Sequence, residues 1–282
     1  MISYDPLEVP IRKRHQFITG SVGPRPICWA STVNEKGESN LAPYSFFNAI
    51  GSNPPLLVFS SNRRGRDNTT KDTLHNIKTT KEVVINVVPY RLVNQMNISS
   101  TDYASGVNEF EKAGVTGIKS KLVKPLRVKE SPVQFECKVK EIVTFGDIGG
   151  APNLFICEIV QMHFSEDILD DEGMVDPQKI DLVGRMGKEY YVRAQGNSIF
   201  EINNPFSKIN LGFDGLPRHI VESAVLSGNE IAQLAMETSL PDENEIKEVR
   251  NEMSINDSEN REINAKRLIE AGEIRKALCI LI

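Results

Sequence analysis

The sequence predicts a mainly β protein with peripheral helices: an antiparallel barrel followed by a helical C-terminal appendage. Three observations carry that expectation. Strand-like runs separated by short breaks follow one another from Pro26 to Leu126. Two further strands, 133–139 and 154–164, flank a glycine-rich turn. Beyond Phe200 the chain changes to proline-punctuated stretches and helical periodicity. Strands that pair in series with few helices between them favour an antiparallel barrel over a parallel doubly wound sheet.

Each element has its own reason. Residues 27–33 and 38–42 read as a hairpin, because Asn34 and Gly37 between them tolerate positive φ. Pro54 and Pro55 stop what precedes them, and 56–61 is an apolar run expected to be buried on both faces. A polar loop, 62–70, leads to a helix over 71–81, with Asp72 expected to cap its first turn and Leu74 and Ile77 on its inner face. Residues 82–88 form another strand. In 133–139, Val133, Phe135, Cys137 and Val139 alternate with Gln134, Glu136 and Lys138, the pattern of a strand with one wet face. His163 is expected at the surface of its strand. Gly146, Gly149, Gly150 and Pro152 make the connection a hairpin loop. Helices are expected over 242–252 and 258–277. The division is therefore 1–200 for the main domain and 201–282 for an appendage, extended first and helical later. A chain ending in Cys279-Ile-Leu-Ile282 would be a liability in water, so that end is expected to pack on the barrel or on a partner subunit.

Composition excludes several classes. The chain has 282 residues, with 33 Lys and Arg against 38 Asp and Glu, a net charge of −5. That acidic balance argues against a general nucleic-acid binder. No apolar run approaches the roughly 18 residues of a membrane span. The N-terminus has no basic start leading into an apolar stretch, so a cytoplasmic protein is expected. Cys28, Cys137, Cys157 and Cys279 are scattered, as are the histidines, so neither a CxxC pair nor a metal site is expected. P-loop, Rossmann, G-x-S-x-G and H-E-x-x-H patterns are missing. The acids concentrate in 241–263, and the cations Arg63, Arg64, Arg66 and Lys71 crowd one loop.

That loop, Ser60 to Thr73, runs from a strand to a helix start. Free N–H groups there, with hydroxyls and cations beside them, can cup a phosphate; a solvated basic loop is the other reading. A second cluster, Asn40-Leu-Ala-Pro-Tyr-Ser-Phe-Phe-Asn48, interleaves polar and aromatic residues around a proline expected to prevent a regular strand. It can offer backbone groups to a flat heterocycle, or Phe46 and Phe47 can be core. Trp29 has the same two readings, packing or stacking. Burial is the expected role of Cys28.

Arg25-Pro-Ile-Cys-Trp-Ala-Ser-Thr32, Asn40 to Asn48, Asn53-Pro-Pro55, Lys71-Asp-Thr-Leu-His-Asn76 and Asn108-Glu-Phe-Glu111, in that order, resemble the flavin reductase-like family of split β-barrels, which includes the flavoredoxins. Arg185, Gly187, Tyr190 and Tyr191 resemble a later element of the same family. The resemblance covers about 20–200. It implies an FMN-binding split barrel and a homodimer. Trp29, Ala30, Ser31, Thr32, Ser45, Phe46, Phe47 and Asn48 would line the ring and ribityl chain. Ser60, Ser61, Arg66, Lys71, Asp72 and Thr73 would surround the phosphate, Lys71 and Thr73 first among them. The flavin would carry the redox chemistry, so no catalytic side chain is expected. The donor would be NAD(P)H or a small redox carrier. A flavoredoxin-like electron carrier without NAD(P)H reductase activity is the alternative.

Overall fold

In a computed structural model, described for residues 1–202, 208–253 and 260–282, the chain divides into two compact units, Met1–Phe200 and Glu201–Ile282. The first is built on a seven-stranded sheet in the order β2-β1-β5-β8-β9-β4-β3. Its strands are β1 (Cys28–Val33), β2 (Ser39–Tyr44), β3 (Phe47–Ser52), β4 (Pro55–Ser60), β5 (Glu82–Val87), β8 (Val133–Thr144) and β9 (Asn153–Phe164). Every ladder in this sheet is antiparallel. Two short pairs stand apart, β6 (Gly117–Ile118) with β7 (Arg127–Val128) and β10 (Val183–Arg185) with β11 (Tyr191–Arg193).

The sheet curls around one core. Cys28, Ala42, Tyr44, Leu57, Phe59, Ile85, Cys137, Phe155 and Cys157 turn one face inward, and Leu74 and Ile77 of helix α2 (Asp72–Thr80) close it. Cys28, Cys137 and Cys157 are free thiols, fully buried there. Burial pushes all three thiols up, so they stay protonated and inert. Helices α3 (Val93–Ile98) and α4 (Glu109–Ala113) cover the other face of β1, packing on Ile27, Trp29 and Leu41. Buried on both sides, β1 is fully enclosed along its length.

Several expectations need correction. Pro43 does not prevent a strand: it pairs with Trp29 inside β2, tolerated because β2 is the sheet's edge and needs no outward N–H. The apolar run in β4 is buried on one face only, at Leu57 and Phe59, while Leu56 and Val58 are half-exposed. Within 133–139 the polar face of β8 is wet only at Lys138, whose side chain is 45% exposed. Glu136 is buried because the chain at Lys121 and Leu122 crosses over it, and Gln134 because Arg127 and Val128 close on its amide. His163, expected at the surface, is drawn into the same cover by Glu136, 2.7 Å from its Nε2. The helix expected over 258–277 is two, α8 (Arg261–Glu270) and α9 (Ile274–Leu281), separated at Gly272, whose φ of +80° no helix accepts. Residues 258 and 259 lie outside the described residues.

The C-terminal unit comprises α5 (Arg218–Val221), α6 (Gly228–Ala235), α7 (Glu243–Glu252), α8 and α9. The last apolar residues do not need the barrel or a partner. Leu278, Ile280 and Leu281 sit in this unit's own core with Ile220, Leu234 and Leu268. Helix α1 (Ile11–Ser21), α3, α4, β3, α5 and α6 had no expectation attached to them. Among the described residues no helix is long and apolar enough to cross a membrane.

Candidate functional site

The 60–73 loop is held in place by β9 and the residues leading into it. Ser61 and Arg63 donate their backbone N–H groups to the carbonyls of Asn153 and Ala151, and the Asn153 side chain returns a bond to the Ser61 carbonyl. Within the loop Arg63 is spent on Asn68, bonding both its side chain (2.7 Å) and its carbonyl (2.8 Å). Arg64 reaches Asp102 at 3.0 Å and donates to the Thr70 carbonyl. Arg66 points outward, 65% exposed, and pairs with Asp67 and Asp102.

Lys71 differs from Arg63, Arg64 and Arg66 in that its side chain makes no hydrogen bond among the described residues. It is the N-cap of α2 and has no carboxylate partner among the described residues. Its Nζ stands 5.0 Å from the centre of the Tyr44 ring. Burial, then the neighbouring charge of Arg64, pushes its ammonium below the usual lysine range. Asp102 and Glu109 offset part of this without touching Lys71, and an anion beside the ammonium would offset the rest. The first N–H groups of α2 have no intrahelical acceptor and lie at the same place.

Hydroxyls gather near the Lys71 ammonium. Tyr44 is buried, and burial pushes its phenol up to about 12. Its hydroxyl lies toward Thr73 and Ser61 without completing a hydrogen bond, so the Tyr44 and Ser61 hydroxyls are both buried and unpartnered. Buried polar atoms without partners are uncommon and call for an explanation such as a ligand. Ser60 already donates to Asn62 at 2.7 Å. Thr73 donates its hydroxyl to Asn40 Oδ1 at 2.9 Å, in a network that reaches the Thr32 hydroxyl, Asn76 and Glu109. Burial raises the Glu109 carboxyl, which accepts from Asn40 and the Leu41 N–H. Asp72 sits in the first turn of α2 but makes no capping bond, since the N-cap position falls one residue earlier. There its charge still suits the helix dipole.

The ring-lining candidates divide. Trp29 is core: fully buried, it packs against Met96 and Phe110 and donates Nε1 to Ser99 at 2.8 Å. Ala30 faces the barrel interior, and Ser31 is buried with an unpartnered hydroxyl. Phe47 packs on the barrel core, and Asn48 is exposed. Phe46 is half-buried, 5.9 Å from the Arg25 guanidinium and edge-on to His15. Ser45 opens onto a cavity of about 190 Å3 shared with Tyr44, Asn97, Arg185 and Tyr191. Tyr44 and Arg64 were not among the expected site residues. Tyr44 carries the signal in hindsight, as the one ionisable aromatic within the 40–48 cluster.

Residues 21–179 match the family model described as Flavin reductase like domain. An uncharacterized protein of Aquifex aeolicus is 41% identical over 182 residues, 64% of this chain and 90% of that protein. Component B of nitrilotriacetate monooxygenase from Bacillus cereus superposes with a TM-score of 0.67 at 27% identity, covering 72% of this chain and 98% of the other. The 2-nitrobenzoate 2-nitroreductase NbaA of Pseudomonas fluorescens does so with a TM-score of 0.65 at 30% identity, over 75% and 100%. The split β-barrel and the match over more than half of its length agree: the chain belongs to the flavin reductase-like domain family.

Proposed function

We propose that this protein binds FMN and is a flavin-dependent oxidoreductase that passes hydride or electrons from NAD(P)H or a small redox carrier to an acceptor. The observation that carries the reading is Lys71, a sheltered cation without a carboxylate partner, beside the buried, unpartnered hydroxyls of Tyr44 and Ser61. That donor set fits a phosphate: one ammonium, two hydroxyls able to donate and the amides of a helix start. The bound flavin would supply the hydride or electron transfer at its ring. Lys71, Ser61, Tyr44 and the α2 amides would hold its phosphate. One cation of the loop, Lys71, is left without a side-chain hydrogen bond among the described residues, which suits the one phosphate of FMN rather than a dinucleotide.

The supporting roles differ among the expected residues. Thr73 would contribute its backbone N–H, since its hydroxyl is committed to Asn40. Arg66 would act only through the field of the loop, since it is paired and exposed. Trp29 and Ala30 would act by stiffening β1, whose edge partner is the 39–44 segment. Ser45 and Phe46 would stand beside the ring.

The relatives support an oxidoreductase: one is named as a monooxygenase component and one as a nitroreductase. The flavin role is assigned to 1–200, and the homodimer is retained as part of the proposal. Large apolar side chains such as Ile50, Met162 and Phe164 are exposed on β3 and β9, surfaces a second copy would cover. The test is direct. The purified protein should be yellow and release FMN by mass spectrometry. Anaerobic NADH or NADPH should bleach the flavin band within seconds; slow bleaching with both would favour the electron-carrier reading. A colourless protein that does not take up FMN would end the proposal.

A further inference from the structure

The Arg185 element took no part in the flavin reading, yet it lines the same cavity as Ser45. The cavity holds about 190 Å3, below the roughly 300–1,000 Å3 of sites for drug-sized ligands, and so fits a one-ring molecule. Its walls are flat and aromatic or apolar at Pro43, Tyr44 and Tyr191, and polar at Ser45 and Asn97. Arg185 is the charged residue among them. It has no carboxylate partner among the described residues. One guanidinium nitrogen donates to the Lys188 carbonyl, and the plane lies over Tyr191 at 4.6 Å.

A second arginine strengthens the field. Arg25 is only 7% exposed and its side chain is tied to the carbonyls of Thr19, Val22 and Met186. Those are neutral partners, and its Nε has none. The two arginines are joined main chain to main chain, Arg25 N to Arg185 O at 2.9 Å and the reverse at 2.8 Å. Burial and Arg185 together push the Arg25 guanidinium below its usual range. Two adjacent cations, neither offset by a carboxylate, make the cavity favourable to an anion.

We infer that this cavity is a subsite for a small planar carboxylate, its ring against Pro43 and Tyr191 and its carboxylate on Arg185. Arg185 binds it through the planar fork that matches a carboxylate in two parallel bonds. The substrate role, a reaction partner of the flavin, rests on the flavin-binding reading; the binding itself does not. Because Ser45 belongs to both, the subsite adjoins the segment proposed to stand beside the ring.

The FMN-loaded protein is titrated with benzoate, and with benzamide as the neutral shape match, following the flavin absorption band. Benzoate should bind at least about tenfold more tightly than benzamide. Arg185→Gln should abolish that preference and leave the FMN Kd unchanged, while Arg185→Lys keeps part of it. The substitution spares the main-chain bonds to Arg25, so the fold should survive, as circular dichroism can check. Calorimetry of benzoate with flavin-free protein reads the same site independently. A protein that fails to bind FMN but still binds benzoate through Arg185 would refute the flavin reading and keep the subsite. No benzoate heat, or a preference that survives Arg185→Gln, would overturn the subsite. So would a variant that loses FMN and benzoate together, because Arg185 would then be a flavin contact. Inorganic phosphate competing as well as benzoate would overturn the carboxylate assignment in favour of a phosphate-bearing donor.

Discussion

The Lys71 ammonium stands 5.0 Å above the ring of Tyr44, whose hydroxyl is buried with no hydrogen-bond partner. The two residues come from the helix start and the edge strand, and meet where Ser61 also leaves a hydroxyl unpartnered. Cation, phenol and serine thus converge without satisfying one another, and the proposed phosphate would supply each with a partner.

Lys71→Met should separate phosphate recognition from ring recognition. FMN affinity should fall by roughly 1.5–3 kcal/mol, the worth of a charge-assisted hydrogen bond. Riboflavin, without the phosphate, should bind the variant and the parent alike. Fluorescence-quenching titrations of both flavins measure it. Equal losses for the two ligands would place Lys71 away from the phosphate.

The same lysine makes a pH signature. Its folded-state value lies below the ordinary lysine value of about 10.4, because of burial and Arg64. Between the two values the unfolded chain binds more protons than the folded one, so the stability of the flavin-free protein gains from this group as pH rises. Phosphate binding needs the proton and should weaken across the same window. The ratio of FMN to riboflavin affinity should therefore decline toward high pH in the parent and stay flat in Lys71→Met. A flat ratio in both would remove Lys71 from the cup.

Glu136 should be a stability residue that acid switches off. Fully buried, it is pushed up by burial, but the N–H groups of Lys121 and Leu122, followed by His163, outweigh that and hold its carboxyl below the usual range. Its contribution is therefore complete above the unfolded value of about 4.3 and is lost as pH falls through the lower folded value. Glu136→Gln should lose at least roughly 1.5–3 kcal/mol at neutral pH, and the gap to the parent should close in acid. Urea unfolding at several pH values checks this; a gap independent of pH would show that the charge is not what matters.

Residues 201–282 should be dispensable for flavin binding. Their apolar side chains form a core of their own, from Ile220 to Leu281, and the proposed phosphate cup draws only on the first unit. A chain ending at Phe200 should bind FMN with the parent's Kd by titration. Loss of FMN by a truncated protein that keeps its circular dichroism would make the appendage part of the site.

Much of this protein is legible in its residues taken alone. Period-two alternation, the Asn34–Gly37 turn and the glycine-rich 146–150 connection locate β1, β2, β8 and β9, because strand and turn preferences are local. The order of short motifs points to the family, and the basic loop before α2 points to an anion. What local pattern does not contain is which neighbour covers which face. Alternation in β8 exposes Glu136 only if nothing crosses it; the chain at Lys121 and Leu122 does, and turns a wet face into a buried charge network. Pro43 excludes a central strand but not an edge, and only the sheet order makes β2 the edge. Four cations in one loop look alike in sequence; long-range partners such as Asp102 neutralise Arg64 and Arg66 and leave Lys71 unpaired beside Tyr44. The residue types were set by sequence, whereas the pairing of their charges and the burial of their hydroxyls depend on contacts between segments far apart in the chain, and only the fold decides those.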